Sequence, residues 1–292
     1  MKTTHIKNLL QTMTSNLIVL FIGLSLMLLV SCNNDDTTPD FSSEDIEDAS
    51  LDAIEDSYFD DSDDLVGEAF TSSEQDLTGG RVSTDERLIC ATLTRTGSKS
   101  EGSLRVDFGD GCTGPRGNVR AGAIVVTHTG DWRNAGSKWS FSYENYSVNG
   151  VQLEGERTIT IVSTSDSLVV SDVTLVGGKI TWPDGRVATR EVKRRREHER
   201  HENHLLDRLI IYGTAQGTFR NGRGYSIEIL ERLIYRRACA AEGVIIPVSG
   251  VKLIKHGDRE LTVDYGDGTC DNIVLLTNKK GESHRYEVKK KD

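Results

Sequence analysis

The chain has 292 residues and a formal net charge of −10, but that charge is unevenly placed. Asn33–Gly80 holds 17 Asp or Glu and no Lys or Arg, whereas Arg81–Asp292 holds 33 Lys or Arg against 28 Asp or Glu. This excludes treating the molecule as one uniform polyanion: an acidic segment precedes a mildly basic body.

Lys2, His5 and Lys7 lead into an apolar run, Leu17–Val30, of 14 residues. That is short of the roughly 20 residues needed to cross hydrocarbon. A cationic start, a core of this length and a small-residue exit predict a cleaved secretory signal over residues 1–31. The exit, Leu29-Val30-Ser31-Cys32, reads as a lipobox, so Cys32 is the expected lipidation site and new N-terminus. With more than one acyl chain, such an anchor is effectively permanent. The expected partner is therefore the outer membrane, reached through the lipid. The early acids of Asn33-Asn34-Asp35-Asp36 resemble the surface-export signals of Bacteroidetes lipoproteins, which implies an outward-facing protein; the alternative is a periplasmic-facing one.

Residues 32–80 read as a disordered acidic tether, because so polar a segment buries too little apolar surface to offset ordering entropy. Within it, Ile46, Ala49 and Ala53, with Leu51, Ile54 and Tyr58, recur at helical spacing. They predict one short amphipathic helix over about 43–57, able to dock on the basic body. The tether is expected to be dispensable for folding.

Residues 81–292 alternate as β-strands do. Runs at Leu104–Phe108, Ala123–Thr127, Trp139–Tyr143, Arg157–Val162, Leu168–Leu175 and Gly178–Trp182 precede others at Leu209–Tyr212, Tyr225–Leu230, Val251–Ile254, Leu261–Tyr265 and Ile273–Leu276. Gly, Asn and Asp clusters separate them, including hairpin-turn candidates at Asn149-Gly150, Gly177-Gly178, Asn221-Gly222 and Trp182-Pro183-Asp184-Gly185. This predicts an all-β class: a single antiparallel meander, sandwich or open barrel, with two fused lobes as the alternative.

Val106-Asp-Phe-Gly-Asp-Gly-Cys112 returns as Val263-Asp-Tyr-Gly-Asp-Gly-Thr-Cys270, each with a cysteine upstream, Cys90 and Cys239. In an exported protein this parallel order predicts disulfides Cys90–Cys112 and Cys239–Cys270. These two copies, the lipobox segment, Tyr146–Gly150 with Glu154-Gly155, Trp182–Arg186 and Pro247–Gly250 together resemble a group of uncharacterised secreted lipoproteins of the Bacteroidetes. That resemblance implies an exported all-β lipoprotein and carries no activity or catalytic residue with it.

Candidate sites are few. His198, His201 and His204 are three apart, not the four of a helical zinc motif, and their charged surroundings read as a solvated hairpin tip rather than a metal site. Asp107, Asp110, Asp264, Asp267 and Asp271 lack the alternate-position pattern of a calcium loop and fit turn-stabilising roles. The basic run Lys193–Arg196, with Arg200 and Arg208, reads as a self-neutralising strand pair, and without stacking aromatics it is no nucleic-acid platform. Trp132, Trp139, Tyr143 and Tyr146 read as core or cross-strand packing. No nucleophile elbow, P-loop or dinucleotide fingerprint occurs, and no cofactor is implied.

The expected function is a non-enzymatic binding or structural role in the cell envelope, with an envelope or extracellular ligand and no nucleic acid. A glycan or peptide hydrolase is the first alternative and requires two buried carboxylates about 5–10 Å apart in a cleft. A carrier of lipid or another envelope component is the second and requires a mostly apolar pocket.

Overall fold

The computed structural model describes residues 41–77 and 85–288, apart from 99, 115–116, 132–133 and 245. The signal segment, Cys32 and Trp132 lie outside the described residues. Among the described residues fourteen strands form one antiparallel sheet. They are Thr92–Gly97 (β1), Glu101–Asp107 (β2), Cys112–Thr113 (β3), Val119–Thr129 (β4), Lys138–Val148 (β5), Val151–Thr164 (β6) and Leu168–Thr181 (β7). Val187–Glu199 (β8), Arg208–Thr218 (β9), Gly224–Arg236 (β10), Ser249–His256 (β11), Arg259–Asp267 (β12), Ile273–Asn278 (β13) and Ser283–Glu287 (β14) follow. Each strand pairs with the next in the chain, except that β2 pairs β4 and the short β3 adds to β4. The sheet is an open meander with β1 and β14 at its edges. The all-β class read from alternation is thus the class observed.

Local chemistry accounts for the turns. Asn149 and Gly150 both have positive φ, 51° and 78°, and close the two-residue hairpin between β5 and β6, as Asn-Gly prefers. The Gly185 N–H donates to the Trp182 carbonyl at 2.9 Å and turns β7 into β8. Gly177-Gly178 is different. It is a bulge inside β7, where the register with β8 shifts between Leu175 and Gly178. A Cβ at Gly178 would collide with the Arg190 carbonyl, so the close strand approach requires glycine there. The two runs read as separate strands, 168–175 and 178–182, therefore fuse into one bent strand.

The acidic segment overturns the expectation of a disordered tether, while the helix expected to dock on the basic body is present and longer than read. Ser43–Leu77 is one 35-residue helix, α1, packed on the sheet; Arg237–Ala241 forms a short helix, α2. Phe41–Asp292 is a single compact unit, so this part of the segment belongs to the domain and is not a free tether. Its buried stripe is also not the apolar face expected from Ile46, Ala49 and Ala53. The stripe is Asp45, Asp48, Asp52, Glu55, Phe59, Ser62, Val66, Ala69 and Ser73, at alternating spacings of three and four. One helix face repeats at that interval, but its first half here is acid. Composition disfavours order only if the charges stay solvated and unpaired, and here the sheet supplies the counter-charges.

Sheet width and helix length agree. Thirteen successive strands at about 4.8 Å span ~58 Å. The 35 residues of α1 at 1.5 Å each give ~52 Å. Accordingly α1 crosses from one edge to the other: Phe41 stacks on His284 of β14 at 5.5 Å, and Phe70 stacks on Trp139 of β5 at 4.7 Å beneath Arg95 of β1.

The cysteines pair as expected: Cys90 faces Cys112 with Cα atoms 5.9 Å apart, and Cys239 faces Cys270 at 5.0 Å. Both separations suit a disulfide.

Candidate functional site: the helix–sheet seam and its cavity

Side chains at alternate positions of a strand share a face. On β8 this puts Arg190, Arg194 and Arg196 on the face that carries α1, while Arg195 points the other way and binds Asp172 of β7 at 2.7 Å. The basic run is therefore only half the self-neutralising strand pair expected. Its inward half meets the helix.

The seam is a ladder of ion pairs. Asp45 accepts from Arg259 at 2.7 Å, and Glu47 accepts from Arg223 at 2.8 Å. Asp52 sits between Lys252 at 2.6 Å and Arg190 at 2.9 Å. Asp56 holds Arg190 at 2.7 Å and Arg194 at 2.8 Å. Asp60 and Asp63 share Arg196, at 2.8 and 2.7 Å, and both also bind Arg157. Asp61 reaches Arg120 at 2.8 Å and Arg87 at 3.1 Å. Burial would raise the Asp56 carboxyl, but Arg190, Arg194 and Lys252 outweigh it and hold the group well below the usual carboxylate range. Burial is opposed in the same way at Arg190, whose guanidinium is lifted well above its ordinary value by Asp56 and Asp52.

Further along, the stripe becomes apolar. Phe59 packs edge-on to Tyr143 at 6.2 Å, and Ser62 shares a 2.7 Å hydrogen bond with the Tyr143 hydroxyl. Tyr143 stacks on Tyr146 at 5.9 Å, and Tyr146 meets Phe108 at 6.0 Å. Burial pushes the Tyr146 hydroxyl up to about 12. The described aromatics of the expected cluster, Trp139, Tyr143 and Tyr146, are thus packing residues of the helix–sheet interface.

Beside the seam lies a cavity of about 1410 Å³. One flank of α1, including Asp56, Asp60, Asp63 and Phe70, forms one wall; the other mixes aliphatic and aromatic side chains (Trp139, Ile159, Val169, Leu209, Ile211, Tyr235, Ile246 and Tyr265) with polar and basic ones, among them Ser171, Arg196, His198, Arg200 and Lys252. Small-molecule sites commonly measure about 300–1,000 Å³, so this space suits a long or branched ligand. Asp56, Asp60 and Asp63 on its acidic wall are already paired in the ladder.

The other sequence candidates do not converge here as a set. His198 lies on β8 at the cavity wall, its imidazole held below its ordinary pKa by burial and then by Arg200. His201 and His204 instead flank Asp207, at 3.7 and 3.2 Å. Among the described residues no group of three His, Cys, Asp or Glu is placed to hold a metal ion. The turn aspartates act as turn residues: Asp107 accepts from the Gly109 N–H and Asp264 from the Gly266 N–H, both at 2.8 Å. Asp267 accepts from Thr269 and Asp271 from the Ile273 N–H.

Sequence reasoning missed Arg190, Arg194, Arg157, Lys252, Arg223 and Arg259 as partners of the acidic segment. A signal was present: acids at spacings of three and four in 45–63, and arginines at alternate positions of β8. No protein-family model matches the chain, nor does any curated protein or solved structure. No helix among the described residues is long and apolar enough to cross a membrane.

Proposed function

We propose that this chain is a lipid-anchored protein of the cell envelope with a non-enzymatic binding role: its β domain takes up an apolar or acyl-bearing envelope component in the cavity beside α1. The cavity carries this reading. Its volume of about 1410 Å³ and its patch of aliphatic and aromatic side chains suit the chain of an acyl-bearing ligand, and the basic groups Arg200 and Lys252 on the same wall suit a polar or anionic head. The carboxylates on its helical wall support binding over hydrolysis. Asp56, Asp60 and Asp63 are each held by arginines, and Asp56 is held ionised, whereas a general acid needs a raised pKa. The anchor rests on Leu29–Cys32 and the outward orientation on Asn33–Asp36.

The test is saturable binding of a fluorescent monoacylglycerol to the acyl-free mature chain, with Leu209→Trp as a cavity-filling control. Wild type should bind, and the variant should lose roughly tenfold in affinity, about 1.4 kcal/mol. Absence of saturable binding, or equal affinity in both, would refute the cavity reading. The anchor is tested separately by fatty-acid labelling in cells: wild type should be labelled and Cys32→Ala should not, and equal labelling would end the lipoprotein reading.

A further inference from the structure

Along the buried stripe of α1 the acids alternate with cations from the sheet, with one gap. Asp45, Asp48 and Asp52 each have an arginine or lysine in direct contact. Glu55, the next acid on the stripe and 0% exposed, has no salt bridge among the described residues. It accepts one hydrogen bond, from the backbone N–H of Arg220 at 3.1 Å, and its Oε2 has no hydrogen-bond partner among the described residues. An ionised carboxylate buried with a vacant oxygen is costly, whereas the neutral acid is tolerated.

The groups around Glu55 reinforce this. On α1 itself, Asp52 and Asp56 add like charge. From β8 comes Arg190, but its guanidinium is engaged by Asp52, Asp56 and the Tyr225 hydroxyl of β10. From β10 comes the Tyr225 hydroxyl, which is bound to Arg190 and donates to the Thr189 carbonyl at 3.4 Å. The Arg220 side chain, at the turn between β9 and β10, leaves for Asp184 at 2.6 Å. Burial first, opposed by Arg190 and by the Arg220 N–H, pushes the Glu55 carboxyl up to about 8.

We propose that Glu55 is a proton latch for α1: the helix seats fully while this carboxyl carries its proton, and ionisation loosens the central turns of the seam. Because α1 also forms one wall of the cavity, the latch acts on that wall; the proposal itself stands independently of what the cavity binds.

The sign follows from linkage. The unfolded chain releases the Glu55 proton near pH 4.3, and the folded chain keeps it to about pH 8. The folded state therefore holds the extra proton over that window, so stability falls as pH rises through it and levels off above. One proton changes the folding equilibrium constant by about tenfold per pH unit.

Glu55→Gln keeps the shape and the neutral charge. Denaturant unfolding of the full mature chain should show the ratio of wild-type to variant folding constants declining about tenfold per unit between pH 5 and 8. Contributions of other groups, such as Asp48 and His198, cancel in that ratio. A ratio flat across the window would overturn the latch. Should the variant fail to fold, infrared difference spectra of wild type decide the matter. A protonated-carboxyl band that disappears with a midpoint near pH 8 supports the latch, and a band already lost at pH 6 overturns it.

Discussion

Arg190 and Arg195 stand on one strand, five positions apart, and face opposite sides of it. Arg190 is 1% exposed and holds Asp52 and Asp56 of α1; Arg195 is 39% exposed and binds Asp172 in partial solvent. Removing one partner of a buried pair strands the other charge, at a cost of about 3–5 kcal/mol, whereas an exposed pair contributes little. Arg190→Ala should therefore lower unfolding stability by about 3–5 kcal/mol in urea, while Arg195→Ala should leave the midpoint close to wild type. The Phe59 side chain, 1% exposed against Tyr143, gives the apolar counterpart: Phe59→Ala should cost about 3–5 kcal/mol. Equal effects of the two arginine substitutions would mean that the seam carries no special weight.

At the scale of elements, the molecule depends on α1 being matched to the sheet. A buried ladder is not automatically stabilising, since desolvation opposes each pair; here the apolar second half of the stripe, from Phe59 onward, adds ordinary burial to it. A chain beginning at Gly80 would leave Arg157, Arg190 and Lys252 facing the vacated seam without their acids. It should lose cooperative unfolding and near-ultraviolet circular dichroism, contrary to the dispensable tether read from composition. Acid should act through the same seam. Asp56 has a folded-state pKa below its ordinary value, so its contribution is present above about pH 4 and is lost as pH falls further. Melting midpoints measured from pH 6 down to pH 2 should fall below pH 4, and less so in Asp56→Asn. The strands were legible because period-two alternation is local: Leu104, Val106 and Phe108 announce β2 within five residues. The turn at Asn149-Gly150 was legible for the same reason, and the cysteine pairs because the same order of cysteine and Gly-Asp-Gly turn occurs twice. The strand pair around Lys193–Arg196 was legible, but the inward face of β8 was not, because its arginines make sense only against a distant acidic helix. Hydrophobic periodicity likewise found only a partly buried flank of α1: Ile46 and Ala49 pack against the core, but the fully buried positions are Asp45, Asp48 and Asp52, to which it is blind.

For the whole molecule, the two disulfides clip the loops that flank an otherwise continuous meander. The Cys239–Cys270 bridge closes 31 residues and joins α2 to the turn after β12. Its removal, as Cys239→Ala/Cys270→Ala, should cost roughly 3–4 kcal/mol in the chain-entropy account, read as a lower denaturation midpoint. The edges are blunted too: β1 is short and rich in threonine, and β14 carries His284, Arg285 and Glu287, which discourages pairing with other chains. The order in which the seam's partners occur along the chain has a consequence in time. Asp52 must find Arg190, 138 residues later, and Lys252, 200 residues later, while Asp45 must find Arg259, 214 residues later. Contacts of such separation form slowly, because loop closure comes before any of their energy is returned. During synthesis α1 precedes the whole sheet, and its ladder is complete only when β11 and β12 have followed. The last third of the sequence therefore decides when the seam can close, and until then the acids of α1 keep repelling one another in water.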